Sequence, residues 1–198
     1  MELLVKLIML AKEMFFNEKN IFNCFFLILT KNSFASIKDN IITKLTEVEN
    51  ISFEFEQNIN GKIESGNCIV EYPRKINCKY NLGNKKILIS NGKSLVIKTL
   101  SSYYIYPLKK TPLNTILDKD FLLKKIKNLK ERDIDKKFVN FSFLENENQI
   151  NLFFDKMTFN LIGWQTIDIY QNVSITYLSS IKRNQKLKKN LFLLPQKK

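Results

Sequence analysis

Residues 67–81 read NCIVEYPRKINCKYN, and the alternation within them decides the architecture. Cys68, Val70 and Tyr72 share one side of an extended chain, with Asn67 and Glu71 on the other. After Pro73, Arg74 and Lys75, the residues Ile76, Cys78 and Tyr80 alternate with Asn77, Lys79 and Asn81. A period of two marks a strand with one buried face, and a proline between two such runs marks a turn. Folded about that turn, the hairpin pairs Cys68 with Cys78 on its apolar side, because register and side-chain parity agree.

The same period continues upstream, where Phe53, Phe55 and Ile59 alternate with Glu54, Glu56 and Asn58. Before them Ile37, Ile41, Ile42, Leu45 and Val48 recur at helical spacing, which predicts an amphipathic helix over residues 36–49. Downstream, Ser90-Asn91-Gly92-Lys93 is an Asn-Gly turn between Ile87–Ile89 and Leu95–Ile97, and Tyr103, Tyr104 and Tyr106 lie in another extended run. Thr111-Pro112 supplies a cap and a proline at the first helical position, with Leu113, Ile116 and Leu117 as the apolar stripe. A second helical pattern follows through Leu122, Leu123, Ile126 and Leu129. Strands are expected again at Phe138–Phe143, Ile150–Phe154, Thr158–Thr166 and Val173–Leu178, with a last short run at Leu191–Leu194. No repeat or linker divides residues 36–198, which are expected to form one domain.

Composition removes much chemistry. The 198 residues contain no histidine, which excludes Ser-His-Asp and Cys-His triads and His-ligated zinc. Three cysteines cannot build a four-cysteine metal site. The five glycines are isolated and match no phosphate-binding loop. No catalytic residues, metal or cofactor are expected. The net charge of +13 is spread along the chain. Its densest clusters, Lys124, Lys125, Lys127 and Lys130, then Lys186, Lys188, Lys189, Lys197 and Lys198, are not interleaved with aromatic residues. They read as solvated basic faces and not as a nucleic-acid surface.

Ile21–Leu29 is an apolar run preceded by Lys19 and followed by Ser33-Phe34-Ala35, a small-x-small pattern of the kind a signal peptidase cuts. Such a run is too short for a bilayer, which needs about 20 residues. Residues 1–35 are therefore expected to be a leader cut near Ala35, and a start at Met14 would give it an ordinary length. The alternative is an N-terminal core helix or an uncleaved anchor. Export to an oxidising compartment would permit a Cys68–Cys78 disulfide. A bond directly across paired strands is strained, however, and two buried thiols are the expectation.

The succession FEFEQ, a glycine-led strand into the Pro73 hairpin, SNGKSL, YPLKKTPLNTIL and LIGWQTID resembles the LolA-type outer-membrane lipoprotein carrier family over nearly the whole mature chain. The matching positions are Phe55 and Gln57, then Asn91, Gly92 and Leu95, then Thr111 and Pro112, and finally Gly163, Trp164 and Asp168. The resemblance implies a mainly β fold with some α. This is an unclosed antiparallel β-barrel, or half-barrel, whose helices cover a concave apolar face. It further implies a monomeric periplasmic carrier that receives acylated lipoproteins from an inner-membrane lipoprotein-releasing ABC transporter and passes them to an outer-membrane acceptor. Two positions depart from the family. The residue before the hairpin proline is Tyr72 where the family has an arginine that bonds to the lid helices, and Cys78 stands at a tryptophan position. Arg74 lies one residue past the proline, and strand parity predicts that it does not take over that role.

Phe53, Phe55, Val70, Tyr72, Ile76 and Tyr80 are the expected lining of an acyl-binding cavity, with Leu113, Ile116 and Leu117 on its lid; the alternative for each is ordinary core packing. The functional alternative is a non-transporting periplasmic or membrane-anchored interaction or sensor domain on the same fold.

Overall fold

The alternating runs just described become strands of one antiparallel sheet. The structure, a computed structural model, describes residues 35–168 and 170–197; the expected leader lies outside these residues apart from Ala35. Helix α1 spans Ile37–Thr46. The strands are β1 (Asn50–Ile59), β2 (Lys62–Glu71), β3 (Lys75–Tyr80), β4 (Ile87–Asn91), β5 (Ser94–Lys98) and β6 (Tyr103–Pro107). A short 3₁₀ turn leads to α2 (Pro112–Ile116) and α3 (Lys119–Asn128). Then come β7 (Arg132–Ile134), β8 (Phe138–Glu145), β9 (Asn148–Asp155), β10 (Leu161–Ile167) and β11 (Val173–Arg183).

The eleven strands run β6-β5-β4-β3-β2-β1-β11-β10-β9-β8-β7. The chain thus builds outward through successive hairpins, crosses by way of the helices, and returns so that β11 pairs with β1. Among the described residues β6 and β7 are the edge strands, so the barrel is open. The inner side chains of the sheet and the apolar stripes of the three helices among the described residues form one cluster, with Phe53, Val70, Phe141 and Leu152 buried beside Ile41, Ile116, Leu122 and Ile126. The helices therefore cover the concave face.

Local chemistry sets the boundaries. Ser36 caps α1: its hydroxyl accepts from the Asp39 N–H, while the Asp39 carboxylate accepts from the Ser36 N–H. The helix ends earlier than its apolar spacing predicts, because Asn184 accepts from the Glu49 N–H and donates to the Glu47 carbonyl, drawing the chain out of the helix. β10 begins at Leu161 and not at Thr158, since the Asp155 carboxylate accepts from the Met157 and Thr158 N–H groups and folds that segment into a turn. β7, with three residues, is too short to leave a periodic pattern.

Leu191–Leu194 is not a strand. The chain after β11 lies over the outer face, held by side chains and not by a ladder: Asn77 donates to the Leu191 carbonyl, Tyr103 to that of Pro195 and Lys98 to that of Gln196. It crosses β3, β5 and β6, and a chain running across strands meets no parallel backbone to pair with. Ile89 and Val96, on that outer face, are buried but separate from the main core. Among the described residues no helix is long and apolar enough to cross a membrane.

Candidate binding site on the concave face

Phe53 and Phe55 on β1, Ile76 and Tyr80 on β3 and Leu113 on α2 meet around a cavity of about 60 Å³, with Trp164 of β10 and Leu88 of β4 completing its apolar wall. Phe53 meets Trp164 edge to face at 6.4 Å, and Phe55 meets Tyr80 at 5.0 Å, a favourable arrangement of aromatic quadrupoles. Gly66 makes the second pair possible. It lies between Phe55 and Tyr80 in the sheet register; a Cβ there would overlap the Lys79 carbonyl oxygen and come within 2.9 Å of the Phe55 ring.

The other expected lining residues are placed differently. Val70 is buried within the core. Tyr72 lines a separate gap of about 20 Å³ beneath α1, with Leu45, Val48 and Ile51. Its burial pushes the phenol pKa up to about 12. On the lid Leu113 is half-buried and lines the 60 Å³ cavity, whereas Ile116 and Leu117 are fully enclosed.

Cys68 and Cys78 are bonded to each other, which corrects the expectation of two free thiols. The register places them directly opposite, with Cα atoms 4.1 Å apart, and both side chains line the cavity wall. The disulfide ties β2 to β3 beneath the apolar face.

Arg74 also departs from its expectation. Its φ of +66° places it in the turn, where strand parity no longer governs direction. The Arg74 N–H donates to the Leu117 carbonyl at 2.9 Å, and its guanidinium pairs with the Asp118 carboxylate. Asp118 in turn caps α3 by accepting from the Phe121 N–H. The hairpin turn is therefore fastened to the junction between α2 and α3, one residue beyond the proline and not one before it.

The cavity turns polar at one end. Gln57 donates to Thr176 at 3.1 Å and to Ser174 at 3.3 Å. Beside it Glu64, 3% exposed, pairs with Lys62 at 2.9 Å and with Lys86. Burial works against the Glu64 carboxylate, but hydrogen bonds and charge from Lys86 and Lys62 outweigh it and hold its pKa below the ordinary value. Tyr80 is raised by burial and by the Glu64 charge. Glu64 escaped notice in the sequence although its signal was present: counting back by twos from Cys68 puts Glu64 on the apolar side of β2. Trp164 was visible only as part of a motif, since no local pattern says that β10 will face β1.

The family model for the outer membrane lipoprotein carrier protein LolA matches residues 46–194. No curated protein matches the chain at the sequence level. Among solved structures the chain is similar to a LolA superfamily protein from Nitrosomonas europaea, with 8% identity, a TM-score of 0.44, and 81% of this chain and 99% of that one covered. It is also similar to the lipoprotein LppX of Mycobacterium tuberculosis (12%, 0.43, 76% and 96%), and to MucB in the MucA/MucB complex of Pseudomonas aeruginosa (11%, 0.38, 80% and 61%). With three quarters of its length matched by the family model and an open antiparallel sheet roofed by helices, the chain belongs to the LolA family of outer-membrane lipoprotein carrier proteins.

Proposed function

We propose that this protein is a non-enzymatic periplasmic carrier that shields the acyl chains of lipoproteins and moves them from the inner to the outer membrane. In this reading it is exported with cleavage near Ala35 and acts as a monomer. It is loaded by an inner-membrane lipoprotein-releasing ABC transporter and unloaded at an outer-membrane acceptor. Acyl chains cannot cross an aqueous space uncovered, because each exposed methylene costs about 0.8 kcal/mol.

The observation that carries the reading is the apolar concave face under a cover of short helices. Phe53, Phe55, Ile76 and Trp164 present a continuous apolar wall, and Leu113 is the lid residue that touches the same cavity. A cavity of about 60 Å³ holds no more than a few water molecules, so loading requires α2 and α3 to move off the sheet. The Arg74–Asp118 pair is partly exposed and should add only about 1 kcal/mol or less to the hold on the cover.

The test is a photo-crosslinking residue at Phe55 or Leu113 in cells labelled with a radioactive fatty acid. Capture of acylated lipoprotein at these two positions, and none at exposed Lys136, is the expected result. Capture of non-acylated protein only, with the chain retained in the membrane fraction, would replace the carrier with an anchored interaction domain.

A further inference from the structure

The charged corner formed by Glu64, Lys62 and Lys86 plays no part in shielding acyl chains. Its place is unusual: Glu64 is on the inner side of β2, in the row that continues through Gly66, Cys68 and Val70 to the core. Burying an ion cluster there costs desolvation that an apolar side chain of similar size would avoid. The corner also adjoins the cavity wall, since Glu64 lies opposite Gln57, which lines it. The Lys86 ammonium sits 4.0 Å above the Tyr80 ring, and Tyr80 packs on Phe55. Two lysines around one carboxylate leave a surplus positive charge. The Lys62 side chain is 73% exposed and that of Lys86 17%, so one cation faces solvent and the other is largely enclosed. An ammonium has three donors, and Lys86 uses one on Glu64.

We propose that this corner is a head-group subsite, which takes the anionic phosphate or carboxylate of an amphiphile whose chains lie against Phe53, Phe55 and Trp164. The proposal rests on the carrier reading for the apolar face and goes beyond it by adding a ligand class, anionic amphiphiles, to the lipoproteins, whose acylated anchor is uncharged. It makes the concave face a two-part site, apolar along β1 and β10 and anion-selective where β2, β3 and the start of β4 converge.

The experiment is displacement of the neutral fluorophore N-phenyl-1-naphthylamine from the intact protein by dodecyl phosphate, dodecanoate and dodecyl maltoside, all below their micelle concentrations. Both anions should displace it at about tenfold lower concentration than the maltoside, the scale of one charged hydrogen bond. Lys86→Met should bring the three within about twofold. Glu64→Gln should widen the gap, because it frees both lysines, whereas loss of a merely structural ion pair would move both variants the same way. The double variant Glu64→Gln/Lys86→Met, which leaves no unpaired buried charge and guards against misfolding, keeps only the exposed Lys62 and should show a gap larger than that of Lys86→Met but smaller than that of Glu64→Gln. Lys127→Met, an exposed lysine on α3, should leave the gap intact. Equal displacement by anion and maltoside, a gap that survives Lys86→Met, or one that closes equally in Lys127→Met would overturn the subsite while leaving the carrier reading standing. If neither the fluorophore nor any amphiphile binds, both fall.

Discussion

Arg74 and Tyr72 flank the same proline and do opposite work. Arg74 reaches outward to the helices, through the Leu117 carbonyl and the Asp118 carboxylate. Arg74→Ala should cost no more than about 1 kcal/mol in urea denaturation, since the pair is partly exposed, yet amide hydrogen exchange across residues 112–118 should quicken; unchanged exchange would deny the arginine any part in closing the cover. Tyr72 points into the gap beneath α1, and its phenol, raised to about 12 from the ordinary 10, is stabilised in the neutral form. Below pH 10 both folded and unfolded chains keep this proton, and its contribution is fully present. Between pH 10 and 12 the unfolded chain releases it first, so stability falls as pH rises. Tyr72→Phe should lose less stability than the wild type between pH 9 and 11, as read from urea midpoints. Tyr80 is shifted in the same direction, so part of the alkaline loss should remain.

At the level of elements, the β2–β3 hairpin carries the site and the disulfide braces it. The loop closed by Cys68 and Cys78 has a sequence separation of 10, and cross-linking a loop of that order contributes about 2–3 kcal/mol. Dithiothreitol should lower the denaturation midpoint accordingly, and the unreduced, unfolded protein should show neither cysteine reacting with iodoacetamide. Helix α2 is short, and only Leu113 of its apolar stripe faces the cavity. Leu113→Ala should therefore lower stability by about 1–2 kcal/mol, below the range for a fully enclosed leucine, while raising the rate at which an apolar fluorophore enters. A slower entry would mean that the route to the cavity does not run under α2.

For the molecule as a whole, the open sheet leaves two edge strands among the described residues. β7 is brief and charged, with Arg132 and Asp133, but β6 offers Tyr104, Ile105 and Tyr106 at 52%, 56% and 43% exposure. Exposed apolar edges template pairing with other chains, and a lysine is the usual guard. Ile105→Lys should suppress concentration-dependent association in light scattering and change folding stability by less than about 0.5 kcal/mol.

Alternation in residues 67–81 by itself determined the hairpin, its register and the pairing of Cys68 with Cys78, because a period of two ties face to position within a strand. It likewise determined that Phe53 and Phe55 share a face, and the Thr111-Pro112 step announced α2. All of these are local: each is set by neighbours a few residues away. Tertiary structure decided the rest. Whether Arg74 reaches Asp118 and whether Tyr72 lies with Phe55 or beneath α1 depend on elements distant in sequence. The same holds for Glu64, whose parity was legible but whose partner Lys86 arrives from across the next hairpin. Leu191–Leu194 shows the limit most plainly, since an apolar run becomes a strand only where a parallel backbone edge receives it, and this one crosses the sheet instead.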